Sequence, residues 1–560
     1  MRLIPPWLRG YERAWLPVDV LAGLTVWALM VPQALAYAGI AGVPVQNGLY
    51  VMPLAVVGYL LLGSSRHLYV GPSATVATLS ASTVALVGGA STGSAEYIAL
   101  TVALTFMVGV IYVAGGLARM GFVARFFARP VLEGFIVGLG LYIAIGQLPK
   151  VVGIKKPSGD TLSVLANTIA DVGSWQWTTV AVGIVALAAL FAFARFAPKL
   201  PGVIIVVALA ILASKAFDLQ DHGVAIVGDV PTGFHFVALS SVSADDLVKM
   251  LPGAFAIVIV GLAQALAIAK SYAAKYHYPV DANREMLGYG AANIGAGALQ
   301  GYTVTGGLSA SGAAERAGAK SPAAFLVSAL MALLTILFLA GLFADLPQPV
   351  LGAIVIWAVS GMIKPGRVTQ YWHAQSLEFW ASLGALLGVL VINILPGVAI
   401  GVALSFILLI HTIDHPHIAS LGRSRDGARY TDLEDDPEAT AIPGVHIHRF
   451  EAELIFANAD IFQDDLLARI GAADPPPHTV ILDFEAVSQV DVTGAQTLLS
   501  VHDTLEARHI RVIVARAKSS VRDSLRRNGV AAVLGEDNLV PSVDRAVQAI
   551  QAQPTSVHFT

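Results

Sequence analysis

Fourteen stretches of mostly apolar residues follow one another between residues 18 and 411, and they constrain the fold more than any other feature of the chain. A helix that crosses a bilayer needs about 20 largely apolar residues. The stretches begin near Val18, Leu49, Ser73, Ile98, Val131, Thr178, Val203, Leu251, Asn283, Ser309, Ala323, Val350, Phe379 and Val398. The sequence therefore predicts a polytopic α-helical membrane protein with about fourteen spans.

The composition agrees with a chain that lies mostly in lipid. Hydrophobic residues make up 56% of the sequence and charged residues only 13%, whereas a soluble protein carries about 25% charged residues. The net charge is −4 and no basic run has interleaved aromatics, so we expect no nucleic-acid partner. Cysteine is absent, which excludes disulfides and thiolate catalysis. The sequence shows no nucleophile–base pair, metal motif or cofactor loop, and we expect a protein that is not an enzyme and needs no cofactor or metal.

The Lys and Arg residues of the loops are distributed unevenly. If the N-terminus is inside, sixteen of these cations fall on the inner side, and the outer side holds only Lys150, Lys155, Lys156, Lys215 and Lys249. Cytoplasmic loops of membrane proteins carry the excess of Lys and Arg. An even number of spans places the C-terminus on the same side, so we expect both termini in the cytoplasm.

Two of the apolar segments are interrupted in the same way. They are LYVGPSATVATLSAS (Leu68 to Ser82) and GYTVTGGLSASGAAERAG (Gly301 to Gly318). Each opens with a short β-like run, is punctuated by Gly or Pro, and continues with small and hydroxyl residues of helical character. Each is the third segment of its half of the chain, and paired interruptions of this kind point to the binding site of a transporter. The alternative is that the small residues only let helices pack closely.

Such a segment predicts a helix that starts in the middle of the membrane. Its first backbone N–H groups cannot stay unpaired in hydrocarbon, and they carry the positive end of the helix dipole. An anion between two such helix ends satisfies both requirements. Pro72 suits a helix start, and Ser73, Thr75, Ser309 and Ser311 add hydroxyl donors. The two segments therefore favour an anion over a cation or a neutral solute.

Long runs of the sequence resemble the SulP family, the sulfate permease or solute carrier family 26 group of anion transporters. The runs are DVLAGLTVWALMVPQALAYAGIAGVP, GSSRHLYVGPSATVA, RPVLEGFIVGLG, AIAKSYAAKYHYPVDANREMLGYGAANIGAG and TGGLSASGAAERAGAKSP. The resemblance implies two inverted repeats of seven spans that form a core and a gate, with half-helices at spans 3 and 10. It implies secondary transport of a small inorganic anion by alternating access, with sulfate as the first choice, and a homodimer. Bicarbonate, chloride and C4-dicarboxylates stay open as substrates, and so does an anion channel.

The resemblance also assigns residues to the anion site. They are Gln33 and Tyr37 of the first span, Ser73, Ala74 and Thr75 of the third, Gln264 of the eighth, and Ser309 and Ala310 of the tenth. Gln33 and Tyr37 are four residues apart and share one helix face; Tyr37 also suits an ordinary core or interfacial aromatic. Many family members have arginine at the position of Ala310, so backbone dipoles and hydroxyls would attract the anion without a side-chain cation. Many prokaryotic members have glutamate at the position of Gln264, which cannot titrate and could instead hydrogen-bond between helices.

The character of the chain changes after His411. We expect a transmembrane domain over residues 1–415, a charged linker over 416–442 and a soluble α/β domain over 443–555. The run HTVILDFEAVSQVDVTGAQTLLSVHDTLEARHIRVIVARAK alternates strand, loop, helix and strand, and it resembles the STAS domain of sulfate transporters and anti-sigma-factor antagonists.

The loop before the helix of that domain is its candidate regulatory site. Asp491 is expected to cap the helix, and Thr493 stands just before Gly494, where related bacterial regulators carry a phosphorylated Ser or Thr. The alternative is a structural turn without phosphorylation. The resemblance allows a nucleotide or a regulatory protein as partner of the domain. The histidines of this domain are His446, His448, His478 and His502. Their spacing is not that of metal ligands, and we expect them at the surface.

Two further interpretations compete with this one, a transporter of another substrate and a protein of another functional class. A nucleobase permease shares the half-helix architecture, but it would need side-chain partners such as glutamates at the site and has no STAS tail. A membrane-anchored signalling protein would use the STAS domain as its output. The Ala-, Gly- and Val-rich make-up is typical of a high-GC bacterium such as an actinobacterium, which predicts the inner (cell) membrane as the location.

Overall fold

The apolar runs of the first three quarters of the chain form helices, since a helix satisfies its own backbone hydrogen bonds in lipid. The computed structural model describes residues 6–125, 128–198, 200–364, 366 and 376–552. The chain divides into two units, Met1–Ser405 and Phe406–Thr560.

The helices of the first unit, including the last one that runs into the second unit, follow in chain order. They are α1 (Pro6–Arg9), α2 (Leu16–Ala41), α3 (Val45–Tyr50), α4 (Met52–Leu62), α5 (Ala74–Val84), α6 (Ala95–Leu117), α7 (Arg129–Val152), α8 (Thr161–Ala170), α9 (Trp177–Phe196), α10 (Gly202–Ala216), α11 (Ala244–Tyr276), α12 (Ala282–Ala298), α13 (Leu308–Arg316), α14 (Ala323–Leu334), α15 (Gln348–Ser360), α16 (Ser376–Leu387) and α17 (Ile394–Asp414). Short π-helical segments, Thr335–Leu339 and Gly388–Ile392, continue α14 and α16.

The predicted architecture of about fourteen spans in two halves is confirmed. Among the described residues, eight helices are long and apolar enough to cross a membrane: Arg13–Ala41, Val45–Leu62, Ala95–Leu117, Arg129–Val152, Trp177–Phe196, Ala244–Tyr276, Ala323–Phe343 and Ile394–Asp414. The shorter segments α5, α10, α12, α13, α15 and α16 supply the other six. The half-helices α5 and α13 are the third and tenth of these segments, as expected.

Both interrupted segments contain a strand before the half-helix. Strand β1 (Tyr69–Gly71) precedes α5, and β2 (Thr305–Gly307) precedes α13. The two strands pair antiparallel, with Tyr69 opposite Gly307 and Gly71 opposite Thr305. Because the strands run in opposite directions, the chain leaves this two-stranded ribbon at opposite ends, and a half-helix begins at each end.

Glycine lets the helices around the ribbon approach closely. A Cβ atom on Gly23 of α2 would lie 2.4 Å from the carbonyl oxygen of Ala324 in α14. A Cβ on Gly58 of α4 would lie 2.5 Å from the carbonyl oxygen of Ala291 in α12. Small residues at such crossings let membrane helices gain packing contacts that larger side chains would prevent.

The second unit is a mixed sheet with helices on both faces. Its strands are β3 (Ile418–Arg423), β4 (Tyr430–Asp432), β5 (Val445–Phe450), β6 (Thr479–Asp483), β7 (Arg511–Ala515) and β8 (Leu539–Val540). They are ordered β4-β3-β5-β6-β7-β8, and β5 to β8 are parallel. The helices are α18 (Ala459–Ala472), α19 (Val492–Glu506), α20 (Ser519–Arg527), α21 (Val530–Leu534) and α22 (Val543–Gln551).

The stretch 416–442, expected as a linker, instead contributes two strands to this sheet. Strand β3 pairs antiparallel with both β4 and β5. The charges that suggested a linker belong to the β3–β4 hairpin, where Arg423 lies 3.4 Å from Asp544 and Arg425 lies 3.0 Å from Glu438. An edge hairpin exposes one side, so it is rich in charge although it is ordered.

The expectation that the histidines of this unit lie at the surface is wrong for His448, which is 0% exposed. Alternate residues of β5 face opposite sides of the sheet, and both sides carry a hydrophobic core. His448 shares a face with Phe450, and its ring packs edge-on against Phe462 of α18 at 5.6 Å. Sequence reasoning took a polar residue type as a sign of exposure, but a strand covered on both faces has no exposed side.

Candidate anion-binding site

Hydrogen bonds from neighbouring helices hold the ribbon of β1 and β2 in place. The Ser311 hydroxyl of α13 accepts a hydrogen bond from the Tyr69 N–H at 2.8 Å and donates one to the Gly307 carbonyl at 2.7 Å. The Asn293 side chain of α12 accepts from the Val304 N–H at 3.0 Å and donates to the Val304 carbonyl at 3.1 Å. The Thr305 hydroxyl donates to the Gly261 carbonyl of α11 at 3.0 Å. The start of each half-helix is therefore anchored to rigid elements.

The first turns of both half-helices present backbone N–H groups without a side-chain cap. Ser73 is the N-cap residue of α5 and Gly307 that of α13; within the described part of the chain, no side chain accepts a hydrogen bond from either first turn. The first N–H groups of a helix have no partner inside the helix. The ribbon thus joins two helix ends that carry partial positive charge and free donors.

Gln33 and Tyr37 lie on α2, which packs against both α5 and α13. Both side chains are buried, and the Tyr37 hydroxyl donates to the Gln33 Oε1 atom at 3.4 Å. The Gln33 Nε2 atom is buried without a partner among the described residues. A buried amide group without a partner is costly, so the Gln33 donor is available to a bound anion.

Gln264 lies on α11, the helix that packs against β2 and α5. The residue is half-buried, and its Oε1 atom has no partner among the residues that the structure describes. Within the described residues, the Gln264 carbonyl oxygen therefore accepts no hydrogen bond from another helix. Gln264 lies about one helical turn after Gly261, whose carbonyl oxygen accepts the hydrogen bond from Thr305 of β2.

The remaining predicted residues differ in exposure. Ala74, Thr75 and Ala310 are buried, Ser73 is half-buried, and Ser309 is exposed. Strands β1 and β2 and helix α5 contain no charged residue. The charges of α13, Glu315 and Arg316, lie at its C-terminal end, and Glu315 forms an ion pair with Lys275 and accepts a hydrogen bond from Tyr276. The donors that the starts of the two half-helices offer are thus backbone amides and hydroxyls.

Sequence reasoning missed two buried carboxylates that hold the loops next to the ribbon segments. Glu285 of α12 accepts hydrogen bonds from the Ser64 N–H at 2.8 Å, the Ser65 N–H at 2.9 Å, and the hydroxyls of Tyr59 and Tyr289 at 2.9 and 2.7 Å. Asp19 of α2 accepts from the Lys320 and Ser321 N–H groups at 2.7 and 3.1 Å. An acidic residue inside an apolar segment was the signal that could have found both.

The loop before α19 has the geometry expected for its aspartate. The Asp491 side chain accepts from the Gly494 N–H at 2.8 Å, which confirms the predicted cap, and from the Phe456 N–H at 2.9 Å. A Cβ on Gly494 would lie 2.4 Å from the Leu454 carbonyl oxygen, so the turn requires glycine there. Thr493, which lies between Asp491 and Gly494, is exposed.

Elsewhere on α19, the side chains of His502, Asp503 and Glu506 lie close enough together to hold a metal ion. The spacing of the histidines alone did not indicate this cluster.

The paired half-helices on an antiparallel ribbon, inside a helical unit followed by an α/β unit, define a class of polytopic membrane transporters with an accessory α/β domain. The chain matches the sulfate permease family over residues 16–385 and the STAS domain over residues 436–546. It belongs to the sulfate permease family and carries a STAS domain.

Known relatives and solved structures agree with this assignment over nearly the whole chain. A protein of Mycobacterium tuberculosis named "Probable sulfate transporter" is 33% identical over 97% of both chains. "Sulfate transporter 4.1, chloroplastic" of Arabidopsis thaliana is 30% identical over 97% of this chain and 81% of its own. The structure of the murine Solute Carrier 26 family member A9 anion transporter in the inward-facing state matches with a TM-score of 0.90 and 26% identity, over 98% of this chain and 94% of that one.

Proposed function

We propose that this protein is a secondary transporter that moves a small inorganic anion, with sulfate as the substrate, across the cell membrane by alternating access. The observation that carries the proposal is the pair of uncapped helix ends joined by one ribbon. Donors without partners at the positive ends of two helix dipoles attract an anion and repel a cation. A transporter, and not an enzyme, is the function that this arrangement supports.

The anion would bind between the first turns of α5 and α13. We assign it the backbone and side chains of Ser73, Ala74, Thr75, Ser309 and Ala310. Gln33 would donate from its free Nε2 atom, and Tyr37 would orient the Gln33 amide through their hydrogen bond. Gln264 would adjoin the site from α11. Because glutamine does not titrate, this position would not couple transport to protons.

Sulfate is favoured over other anions by the names of the relatives, which include sulfate transporters of Arabidopsis thaliana and a probable sulfate transporter of Mycobacterium tuberculosis. Sulfate offers four oxygen acceptors, which suits a site made of many neutral donors. Residues 1–415 would carry out transport, and the STAS domain, with a core at 443–555, would regulate it. Asp491, Thr493 and Gly494 would form its contact for a regulatory protein or a nucleotide. We place both termini in the cytoplasm of a bacterial inner membrane and expect a homodimer.

Uptake of labelled sulfate into liposomes that contain the purified protein tests the substrate. We expect saturable sulfate uptake without single-channel conductance in planar bilayers. Bicarbonate, chloride and fumarate are offered in parallel as labelled substrates. Uptake of one of these anions without sulfate uptake would show that sulfate is the wrong substrate, and discrete conductance steps would indicate a channel.

A further inference from the structure

A cavity of about 400 Å³ opens where α4, the loop that leads to β1 and the start of α12 meet. Its lining includes Trp7 of α1, Leu60 of α4, and Arg66, Tyr278 and Arg284. None of the residues assigned to the anion-binding site lines this cavity. It is therefore a separate site, and the proposed transport mechanism does not use it.

Two guanidinium groups line the cavity. Arg66 and Arg284 are both exposed, and among the described residues neither takes part in an ion pair of the first unit. Arg66 lies over the Tyr278 ring, 5.7 Å from its centroid, a contact that orients the guanidinium without cancelling its charge. Two free guanidiniums beside one cavity suit a phosphate group, which accepts bidentate hydrogen bonds.

Two acidic groups lie at or next to the cavity. Asp281 lines it, and its Oδ1 atom caps α12 by accepting from the N–H groups of Asn283 and Arg284 at 2.8 and 3.3 Å. Glu285, one turn further along α12, is fully buried and accepts hydrogen bonds from Tyr59, Ser64, Ser65 and Tyr289. Among the described residues of the first unit, neither carboxylate forms an ion pair with Arg66 or Arg284, so the lining holds two cations and one carboxylate.

The cavity adjoins an apolar surface that faces outward. Leu61 at the end of α4 is 54% exposed and Leu8 of α1 is 49% exposed. The Trp7 indole N–H donates to the Leu60 carbonyl at 3.3 Å, which fixes α1 against the end of α4. Tryptophan is typical of the level at which lipid headgroups lie. The acyl chains of a lipid whose phosphate lies in the cavity would cover the exposed leucines. A free phosphate ion has no apolar part that could cover them.

We propose that this cavity binds the headgroup phosphate of an anionic phospholipid between Arg66 and Arg284, with its acyl chains against α1 and α4. The cavity loop contains Ser64 and Ser65, which Glu285 holds, and it continues directly into β1. Bound lipid would therefore order the segment from which the ribbon begins.

Native mass spectrometry of the full-length protein in detergent tests this binding without any transport measurement. Phosphatidylglycerol, phosphatidylethanolamine and phosphatidylcholine with the same acyl chains are titrated. Each Lys or Arg near a membrane surface contributes about 1 kcal/mol toward anionic lipid, so the double variant R66Q/R284Q should bind phosphatidylglycerol roughly thirtyfold more weakly. The matched control is R195Q/K270Q, which removes two exposed cations that do not line the cavity.

Equal binding of phosphatidylglycerol by the two double variants would overturn the proposal, as would equal affinity of the wild-type protein for phosphatidylglycerol and phosphatidylcholine. Inorganic phosphate and glycerol 3-phosphate are added as competitors without acyl chains. Their displacement of the lipid at equimolar concentration would identify a site for free phosphate and refute the lipid. If R66Q/R284Q does not fold, the single variant R66Q should still bind roughly fivefold more weakly.

Discussion

In the described residues of β1, β2 and the first turns of α5 and α13, the donors are neutral and there is no cationic side chain. Ala310 is buried, and the exposed Ser309 next to it carries a small hydroxyl. Attraction by helix ends is spread over several N–H groups, each with a fraction of a unit charge. A single full charge introduced at this point should therefore dominate the potential.

Replacing Ser309 by glutamate tests the position of the site. Ser309 is exposed, so the longer side chain does not need to displace packed neighbours, but its carboxylate would repel an anion and could bind the free N–H groups itself. We expect Ser309→Glu to abolish anion uptake into liposomes while the thermal stability of the protein stays close to wild type. Ser91→Glu, at an exposed loop position, is the matched control. Wild-type uptake by Ser309→Glu would exclude the tenth segment from the site.

Replacing Gln264 by glutamate tests whether this position can couple transport to pH. At acidic pH the neutral carboxylic acid resembles the amide, and transport should persist. As the pH rises, the carboxylic acid ionises and the carboxylate repels the anionic substrate, so uptake should fall. In the wild-type protein Gln264 does not titrate and should cause no such fall. Uptake is measured in liposomes over a series of pH values. If uptake by Gln264→Glu does not change with pH, residue 264 is not a position that couples transport to protons.

At the scale of helices and strands, each half-helix depends on elements from the other half of the chain. Asp19 in the first half holds the loop after α13, and Glu285 in the second half holds the loop before β1. Each carboxylate is fully buried and receives several hydrogen bonds, including backbone N–H groups. Charge-assisted hydrogen bonds of this kind are the strong ones, so the inverted repeats are joined at both of their broken segments.

The helices, the order of the segments and the two interruptions could be predicted from the sequence, because they depend on local apolar length and on Gly, Pro and hydroxyl residues. The pairing of β1 with β2 joins residues more than 230 positions apart, and no local pattern reports such a contact. The same holds for Glu285, whose partners Ser64 and Ser65 lie 221 and 220 positions away. The strands of the β3–β4 hairpin were missed because charge at a sheet edge resembles charge in a linker.

The buried His448 of β5 makes the stability of the second unit depend on pH. Burial, with smaller contributions from the nearby His446 and Arg469 charges, lowers the pKa of His448 to about 3, whereas an unfolded histidine has a pKa of about 6.5. The unfolded state therefore binds the extra proton below pH 6.5, and the folded state loses about 2 kcal/mol at pH 5 relative to pH 7. Above pH 6.5 the residue should contribute no pH dependence.

His448→Leu should remove this loss, because leucine fits the apolar surroundings and does not titrate. Hydrogen exchange of the peptides that contain β5, in the full-length protein, is compared between wild type and variant at pH 7 and pH 5. His478→Gln, at an exposed position of the same unit, is the control and should keep the wild-type loss. If His448→Leu is destabilised at pH 5 as much as the wild-type protein, another titratable group causes the loss of stability.

At the scale of the whole molecule, the two units have the properties of separate functional parts. All the residues assigned to the anion site lie in the first unit, and the loop of Asp491, Thr493 and Gly494 lies in the second. The second unit has its own hydrophobic cores on both faces of a complete sheet. If transport is the primary activity, the first unit should perform it alone, whereas in a membrane-anchored signalling protein the second unit would be the essential part.

Two truncations test this division. A chain that stops at Ile442 keeps β3 and β4 but loses β5, the strand that covers the other edge of β3. It would expose an unpaired strand, which promotes aggregation. A chain that stops at His417 ends after α17 and before β3, and leaves no such edge. We expect the His417 truncation to retain measurable sulfate uptake in liposomes, and the Ile442 truncation to aggregate more by size-exclusion chromatography. If the His417 truncation is monodisperse and stable but transports nothing, the first unit is not sufficient for transport, and the assignment of the second unit to regulation alone is wrong.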